Sequence, residues 1–377
     1  MLNEIVSDDY TGKLSGFFED DNIEEIMFDG SHERVKVYHA MYGMCDTNVG
    51  LTSAEAVNII ENIASFSGKK VSSNNPIFDG ALPDGSRVNV VMPPVSVNGP
   101  AITIRKFRKK IMNACSFINL GTMSEEVCAF LWCCIDGLGY RPANILFAGG
   151  TSCGKTTLLN ALSMFIPNRS RIVTIEDTPE LRLPFSNLVR LETSLDPPID
   201  MDHLLRNTLR MRPDRIIVGE VRGSECRSLF MAMNTGHDGC MGTIHANTAR
   251  ETVEKVISPP MDVPSMMLRT LDIIVMEQRM NVGGKTSRRI TEISEVGGIE
   301  NGVPRLNTIY TFDQNKGELR RTGVPSRIRT KIAEAGGMRP KDFDNILVKR
   351  ISVLEKLCRE NLDAESFKRA VESEGGG

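Results

Sequence analysis

Phe147-Ala-Gly-Gly-Thr-Ser-Cys-Gly-Lys-Thr-Thr-Leu-Leu-Asn-Ala-Leu162 is the stretch of sequence that decides the fold. The apolar run over residues 144–148 predicts a buried strand, and helically spaced apolar residues after the glycines predict a helix. Gly149-x4-Gly154-Lys155-Thr156 therefore matches the P-loop pattern in the strand, turn and helix context that the pattern requires. A glycine-rich turn that matches by chance would lack this context.

A P-loop binds phosphate because its glycines let backbone N–H groups surround phosphate oxygens at the positive end of a helix. Lys155 is expected to reach the β- and γ-phosphates of ATP, and the Thr156 hydroxyl is expected to bind Mg²⁺. Cys153 is either a redox sensor, since a helix N-terminus lowers a thiol pKa, or a tolerated small residue. The residues expected to bind nucleotide here are Gly149, Gly150, Thr151, Ser152, Cys153, Gly154, Lys155, Thr156 and Thr157.

The composition is that of a soluble globular protein with more than one domain. The chain has 377 residues and a formal net charge of −3, which does not indicate binding to nucleic acid or to an anionic membrane. The acidic N-terminus has no apolar signal region, and no apolar run is long enough to span a membrane, so we expect a cytoplasmic protein. Nine scattered cysteines without a C-x2-C pair predict reduced thiols and no structural zinc site.

The sequence predicts an α/β fold in which a smaller α+β domain precedes the P-loop domain. Residues 1–110 show short strands, a capping box at Thr52–Glu55 that begins a helix, and a hairpin turn at Asp84-Gly85. The basic run Arg105–Lys110 favours a solvated linker over an anion site, and the linker is placed at 111–120. A P-loop ATPase domain is expected over 121–330 and a helical segment over 331–377.

Polar residues follow three further predicted strands. Glu176 and Asp177 end the strand that starts at Arg171, Glu220 ends the strand from Arg215, and His245 ends the strand from Met241. In an open parallel sheet, ligands collect at the carboxyl ends of the strands. We therefore expect these side chains to lie beside the P-loop, together with His237 shortly upstream of His245.

The residue types suggest hydrolysis of a phosphate anhydride, which needs the phosphates held, their charge neutralised and a water oriented. Glu220 is the first choice for the residue that orients water. Gly219 stands where many P-loop enzymes have a metal-binding Asp, so Mg²⁺ is expected to rely on water-mediated contacts from Glu176 or Glu180. His245 either donates to the γ-phosphate or has a structural role.

Several arginines are candidate nucleotide contacts. Arg210 and Arg212, on an expected helix before Pro213, are candidates for charge-neutralising fingers, in cis or toward a neighbouring subunit, or for plain salt bridges. Arg87 and Arg105 lie in predicted strands and are either exposed decoration or directed toward the nucleotide. Six basic residues against one acidic residue between Lys316 and Lys331 indicate a solvated or partner-facing surface, without the aromatic residues typical of nucleic-acid binding.

Four ordered segments resemble the Walker A, Asp box, Walker B and His box of the secretion and pilus-assembly ATPases. They are the P-loop, Ile175-Glu-Asp-Thr-Pro-Glu-Leu181, Arg212-Pro-Asp-Arg-Ile-Ile-Val-Gly-Glu-Val-Arg-Gly223 and Thr235-Gly-His-Asp-Gly-x5-His-Ala-Asn247. Pro83-Asp-Gly-Ser-Arg87 and Ile102-Thr-Ile-Arg-Lys-Phe107 are similar to the N-terminal domain of the Tad (tight-adherence) pilus branch. The resemblance covers roughly residues 23–276.

This resemblance implies a RecA-like core, a homo-hexameric ring, and ATP and Mg²⁺ as ligands. It implies a location at the inner face of the cell membrane, with membrane contact only through an inner-membrane platform protein and no direct nucleic acid. The family's Walker B often carries Gly-Glu, which supports Glu220, and N-terminal arginines of relatives reach the nucleotide, which favours Arg87 and Arg105. The tetracysteine zinc module of type II secretion relatives is absent here, which argues against that branch.

The resemblance therefore implies a cytoplasmic hexameric ATPase that hydrolyses ATP to power assembly of a Tad or type IV-like pilus, or protein secretion across the membrane. Two other functions share the same motifs. A conjugative or DNA-transfer motor would differ only in its client, and a nucleotide-gated structural ring would bind nucleotide without needing turnover. ABC-type ATPases are disfavoured because the chain has no Leu-Ser-Gly-Gly-Gln stretch, and GTPases because no Asn-Lys-x-Asp motif follows the P-loop. The basic surface between Lys316 and Lys331 is the expected dock for the platform protein.

Overall fold

The structure is a computed structural model that describes residues 11–30, 34–66, 70–107, 111–195, 197–282, 285–300 and 303–375. The chain divides into two compact units, Met1–Lys110 and Ile111–Gly377. Within the described residues, no helix combines the length and the apolar character that a membrane span requires.

The first unit is an antiparallel sheet packed against one long helix. Its elements are α1 (Gly16–Glu19), β1 (Ile23–Phe28), β2 (Arg34–His39), β3 (Gly43–Gly50), α2 (Ser53–Phe66), β4 (Ile77–Ala81), β5 (Arg87–Val91) and β6 (Ala101–Arg105). The strand order is β3-β2-β1-β6-β5-β4. The predicted capping box begins α2, where the Thr52 N–H donates to Glu55 Oε2 at 2.8 Å and the Glu55 N–H donates to Thr52 Oγ1 at 3.3 Å. The predicted hairpin at Asp84-Gly85 is confirmed by the pairing of β4 with β5.

The second unit is a nine-stranded sheet, in the part of the chain described, with helices on both faces. Its strands are β7 (Ile145–Gly149), β8 (Ile172–Glu176), β9 (Leu188–Glu192), β12 (Arg215–Val221), β13 (Met241–His245), β14 (Ile273–Val282), β15 (Lys285–Glu300), β16 (Val303–Asp313) and β17 (Glu318–Arg321), with a separate pair β10 (Ser194–Leu195) and β11 (Pro198–Ile199). Its helices are α3 (Ala114–Asn119), α4 (Glu125–Asp136), α5 (Lys155–Ser163), α6 (Met201–Thr208), α7 (Glu225–Asn234), α8 (Ala249–Ile257), α9 (Arg327–Ala335), α10 (Pro340–Leu357) and α11 (Ala364–Gly375).

The central strands of this sheet are parallel and buried on both faces. The sheet order is β17-β16-β15-β14-β7-β13-β12-β8-β9, with parallel pairing from β14 to β9 and antiparallel pairing from β14 to β17. Along β7, Ile145 and Phe147 pack toward α4 and α5, whereas Leu146 and Ala148 pack into the core formed with α7 and α8. Apolar residues at every position explain why the strand appears in the sequence as a continuous apolar run.

The region expected to be a linker, residues 111–120, contains a helix of the second unit instead. Asn113 caps α3 by accepting the Ser116 N–H at 3.1 Å, and Phe117 and Ile118 are buried in the core. The segment 331–377 is helical as expected, but it belongs to the same core, where Phe343 and Phe367 are fully buried. Both regions therefore belong to the second unit.

Most of the basic residues between Lys316 and Lys331 bind groups of their own unit. Lys331 Nζ donates to the buried Asp272 Oδ1 at 2.7 Å, and Arg329 pairs with Asp344. The other pairs are Arg320 with Glu318, Arg321 with Glu126, and Arg327 with the backbone oxygen of Val296. Partners within the unit neutralise much of this charge, which argues against the expected free basic dock.

The buried ion pair between Arg350 of α10 and Asp136 of α4 generates a stability prediction. Arg350 Nη1 donates to Asp136 Oδ1 at 3.0 Å, and its guanidinium lies 4.4 Å from the ring centroid of Trp132. Arg350→Met would leave Asp136 as a buried charge without its partner, so we expect the free energy of unfolding to fall by about 3–5 kcal/mol.

Denaturant unfolding followed by fluorescence measures this, because Trp132 is the only tryptophan and lies in this core. Lys349→Met, which removes an exposed positive charge from the adjacent position, is the matched control. A loss below about 1 kcal/mol for Arg350→Met, the range of an exposed pair, would contradict the prediction.

Candidate functional site

The P-loop connects β7 to α5 and depends on two glycines. Gly149 pairs in register with Glu277 of β14, and a Cβ on Gly149 would lie 2.2 Å from the Glu277 backbone oxygen. Gly154 has a φ of +113°, and a Cβ there would lie 2.9 Å from Glu277 Oε1. A side chain at either position would therefore disturb the loop or the strand beneath it.

Lys155, His245 and Glu220 form a contiguous polar chain. The mostly buried Lys155 Nζ donates to the Gly150 backbone oxygen at 2.8 Å and lies 3.5 Å from His245 Nε2. His245 Nε2 lies 3.4 Å from Glu220 Oε1. The structure thus brings together three residues that the sequence placed at the ends of separate strands.

The environment of His245 favours the neutral form of its imidazole. Partial burial lowers the pKa of its imidazole, and the positive charge of Lys155 lowers it further, against the opposing effect of Glu220. Lys255 Nζ donates to the His245 backbone oxygen at 2.8 Å, which fixes the end of β13. Because both contacts involve Nε2, a neutral imidazole can use this nitrogen either to accept from Lys155 or to donate to Glu220, depending on its tautomer, but not both at once.

Arg222 also belongs to the site. It is part of the Walker B-like segment, but the sequence pattern did not indicate a role for it. Its Nε donates to Glu220 Oε2 at 2.9 Å, and its Nη1 lies 3.9 Å from Asp177 Oδ2. The signal in the sequence was its position two residues after Glu220, immediately after the end of β12. Arg222 thus holds one oxygen of Glu220 and leaves the other beside His245.

Glu176 is buried and bound to its own loop. Its Oε1 accepts the backbone N–H groups of Glu180 at 2.9 Å and Leu181 at 3.0 Å, and burial raises its pKa. A Cβ on Gly219 would lie 3.0 Å from Glu176 Cγ, so Glu176 occupies the space where other P-loop enzymes have the Asp side chain. A side chain at position 219 would crowd Glu176, which explains why a glycine is present there.

The residues present fit a Mg²⁺ ion held mainly by nucleotide. The described residues contain no group of three or more His, Cys, Asp or Glu side chains arranged to hold a metal. Mg²⁺ at phosphate sites usually takes one or two protein oxygens together with phosphates and waters. Thr156, in the first turn of α5, and Glu176 are the predicted donors, and the side chain of Glu180 stays a predicted contributor.

Three predicted contributors, Arg210, Arg212 and His237, lie at the other edge of the sheet. Arg210 and Arg212 follow the end of α6 and precede the start of β12, whereas Glu220 is near its end, roughly 17 Å along the strand. His237 precedes the start of β13, so the expectation that both histidines lie at the nucleotide edge is wrong for His237. Within one chain, Arg210 therefore cannot act as a finger, and a role toward a neighbouring subunit stays a prediction.

Cys153 does not have the environment of a redox sensor. Its side chain is buried, and burial raises the pKa of its thiol, which outweighs the effect of Lys155. A reactive thiol needs exposure and a lowered pKa. The structure therefore favours the alternative that Cys153 is a small, buried residue of the loop.

Arg87 and Arg105 are register partners on β5 and β6 of the first unit. Like charges directly opposite each other on neighbouring strands repel, so such pairs are unfavourable without a nearby negative charge. Glu25 of β1 is the register partner of Arg105 on its other side. The assignment of both arginines to the nucleotide stays a prediction.

Comparison with known proteins identifies the family. A family model described as "Type II/IV secretion system protein" matches residues 30–295, well over half of the chain. The chain belongs to this family. It is 47% identical over 237 residues to one uncharacterized Methanocaldococcus jannaschii protein (61% of this chain) and 35% identical over 364 residues to another (93% of this chain).

The chain spans 33% and 65% of the lengths of these two M. jannaschii relatives. It is also 34% identical to the conjugal transfer protein TrbB of Rhizobium radiobacter, covering 67% of this chain and 77% of TrbB. The Legionella pneumophila ATPase DotB has the same fold, with a TM-score of 0.54 at 17% identity over 96% of this chain and 90% of DotB. The predicted α/β fold, a RecA-like P-loop domain preceded by a smaller α+β domain, is confirmed.

The glycine geometry generates a prediction for the loop. Gly154→Ala would place a methyl group against Glu277 in a backbone conformation that L-residues rarely adopt, so we expect the free energy of unfolding to fall by about 1–3 kcal/mol. Gly150→Ala is the matched control, because a Cβ there would have its nearest neighbour, Asn247 Oδ1, at 4.0 Å. Denaturant unfolding of both variants without nucleotide measures the difference, and equal stabilities would contradict this account.

Proposed function

We propose that this chain is the ATP-hydrolysing subunit of a motor in a type IV pilus-like or secretion machine. The polar chain from Lys155 through His245 to Glu220, at the carboxyl edge of the parallel sheet, is the observation that carries the proposal. It puts a phosphate-binding cation, a neutral imidazole and a carboxylate within contact distance of one another. Membership of the secretion family supports the same activity.

Each residue has a distinct role in the proposed hydrolysis. The backbone N–H groups of Gly150 to Thr157 and Lys155 Nζ hold the phosphates, and Lys155 exchanges its bond to the Gly150 oxygen for phosphate oxygens. A bound Mg²⁺ would neutralise developing charge on the β- and γ-oxygens, with Thr156 and Glu176 as its protein contacts. Glu220, fixed by Arg222, orients the attacking water.

His245 connects hydrolysis to the sheet. Its Nε2 lies within 3.5 Å of both Lys155 Nζ and Glu220 Oε1, so movement of either side chain on phosphate binding changes its hydrogen bonding. A neutral imidazole that donates to the γ-phosphate would lose that contact after hydrolysis. We infer that His245 reports the state of the nucleotide to β13.

The finer assignment is a homo-hexamer of the Tad type. Pro83-Asp-Gly-Ser-Arg87 and the segment from Ile102 to Phe107 support the Tad branch, in which Arg87 and Arg105 would bind nucleotide. The motor would work in the cytoplasm at the inner face of the membrane, bound to a platform protein there and without direct contact to nucleic acid. The acidic partners of Arg320, Arg321, Arg329 and Lys331 make the stretch from Lys316 to Lys331 a weaker candidate for the platform dock.

Glu220→Gln tests the motor. Loss of the carboxylate should lower ATP turnover by about 10²-fold or more while ATP binding persists, because general-base catalysis contributes 10²–10⁴-fold. Turnover and particle mass are measured on the same samples, with and without nucleotide. Glu254→Gln, the same change at an exposed position of α8, should keep wild-type turnover.

A wild-type protein that forms a ring and binds ATP without turnover would favour the structural ring instead. A Glu220→Gln variant that supports assembly of the machine in cells would do the same, since a ring that only binds nucleotide does not need the carboxylate. Wild-type turnover retained in Glu220→Gln would contradict the role of Glu220.

A conjugative motor is the second candidate, because relatives at 33–34% identity are named as conjugal transfer proteins. Its client would be a DNA–protein complex and not a pilin. Single-stranded DNA of the transfer type, added together with its transfer proteins, should then stimulate ATP turnover. Stimulation by platform protein and pilin in the absence of DNA would support the pilus motor.

A further inference from the structure

Glu277 is a buried acid that has no role in the hydrolysis proposed above. It lies on β14 directly beneath the P-loop, as the register partner of Gly149, and its side chain has no exposed surface. Neither carboxyl oxygen has a hydrogen-bond partner among the described residues. Glu176, Glu225 and Glu295 are also buried, and each accepts backbone N–H groups.

The surroundings of Glu277 are those of the phosphate-binding loop. Its Oε1 lies where a side chain on Gly154 would otherwise project, and Gly154 is the N-cap residue of α5. The charged and titratable groups that face it are Lys155 of α5, Cys153 of the loop and Arg288 of β15. Arg288 also contacts the loop, since its Nε donates to the Ser152 backbone oxygen at 3.3 Å.

The charge of Glu277 has a direct effect on this loop. Burial without hydrogen bonds disfavours the carboxylate and raises its pKa to about 8, although Arg288 and Lys155 act in the opposite direction. At pH 7 the side chain is therefore neutral, and the positive charge of Lys155 and of the loop N–H groups acts on phosphate unopposed. Ionisation would put a negative charge on the far side of the same loop, a few ångströms from the phosphates.

We propose that Glu277 is a positioning residue that sets nucleotide affinity through its protonation, with tight phosphate binding only when its carboxyl is neutral. The inference rests on nucleotide binding at the P-loop, as proposed above. It deepens that function by linking occupancy of the site to the uptake of a proton. Glu277 acts through the loop and does not itself touch nucleotide.

The sign of the linkage follows from charge repulsion. Bound phosphates favour the neutral carboxyl and so raise the Glu277 pKa above its value in the free protein. Nucleotide binding therefore takes up protons near pH 8, and affinity is full below about pH 7 and declines as pH rises through 8. If binding raises the pKa by about one unit, the dissociation constant should rise about fivefold between pH 7 and pH 9.

The test uses ADP with Mg²⁺ and the full chain. ADP avoids turnover, and its terminal phosphate has lost its last proton near pH 6, below the window of interest. The dissociation constant is measured from pH 7 to pH 9 for wild type, Glu277→Gln and Glu292→Gln. Titration calorimetry at pH 8 in two buffers of different ionisation enthalpy measures proton uptake by the wild type, independently of whether any variant folds.

We expect the wild type to lose affinity with rising pH and to take up a fraction of a proton at pH 8. Glu277→Gln should bind ADP at every pH about as tightly as wild type does at pH 7, with no proton uptake. Glu292→Gln is the matched control, because Glu292 lies on β15 as the register partner of Met276 and accepts the Ser294 and Thr308 hydroxyls. Its pH profile should equal that of wild type.

A wild-type affinity that stays flat from pH 7 to pH 9 would overturn the proposal, as would an unchanged decline in Glu277→Gln. Cys153 is the nearest other group that loses a proton on the alkaline side, so a decline abolished by Cys153→Ser and not by Glu277→Gln would assign the effect to the thiol. Absence of ADP binding at any pH would refute the nucleotide site itself, which distinguishes failure of the proposed function from failure of the role of Glu277.

Discussion

Parallel pairing of four buried strands determines where the functional side chains of the second unit lie. Because β7, β13, β12 and β8 run in one direction, their carboxyl ends meet at one edge of the sheet. His245 is the register partner of Gly149, which places the imidazole next to the P-loop although the two residues lie far apart in sequence. The same pairing on the other side of β7 brings Glu277 under Gly149, so the loop is defined by strands on both sides.

The sequence was sufficient to predict the elements whose pattern lies within a few neighbouring residues. Continuous apolar runs predicted the central strands, the Thr52–Glu55 capping box predicted the start of α2, and the P-loop pattern predicted the turn between β7 and α5. It was not sufficient to decide which edge of the sheet a residue occupies when it lies between elements. His237 and Arg210 stand close to family motifs in sequence, but α6 and α7 return the chain to the amino edge before β12 and β13 begin.

Ion pairs between residues far apart in the chain were the second feature that the sequence could not predict. Arg350 and Asp136 are 214 positions apart, and Lys331 and Asp272 are 59 apart, so no local pattern marks either pair. A run of basic residues in the sequence suggests a charged surface. In the folded chain, other strands and helices supply acidic partners for these residues. The helix at 114–119 was missed for a related reason: it is short, and tertiary burial of Phe117 and Ile118 stabilises it more than its own propensity does.

The polar groups of the second unit differ in how completely the fold satisfies them. Asp136 and Glu295 are buried, but the first is bound by a guanidinium and the second by backbone and hydroxyl groups at the start of α9. Glu277 is buried without such partners, and it lies beside Gly154, whose backbone is in the left-handed region. Unfavourable features persist where the surrounding core determines the conformation, and they concentrate at functional sites. The unsatisfied carboxyl of Glu277, directly beneath the P-loop, is one such unfavourable feature, and we infer that it serves nucleotide binding.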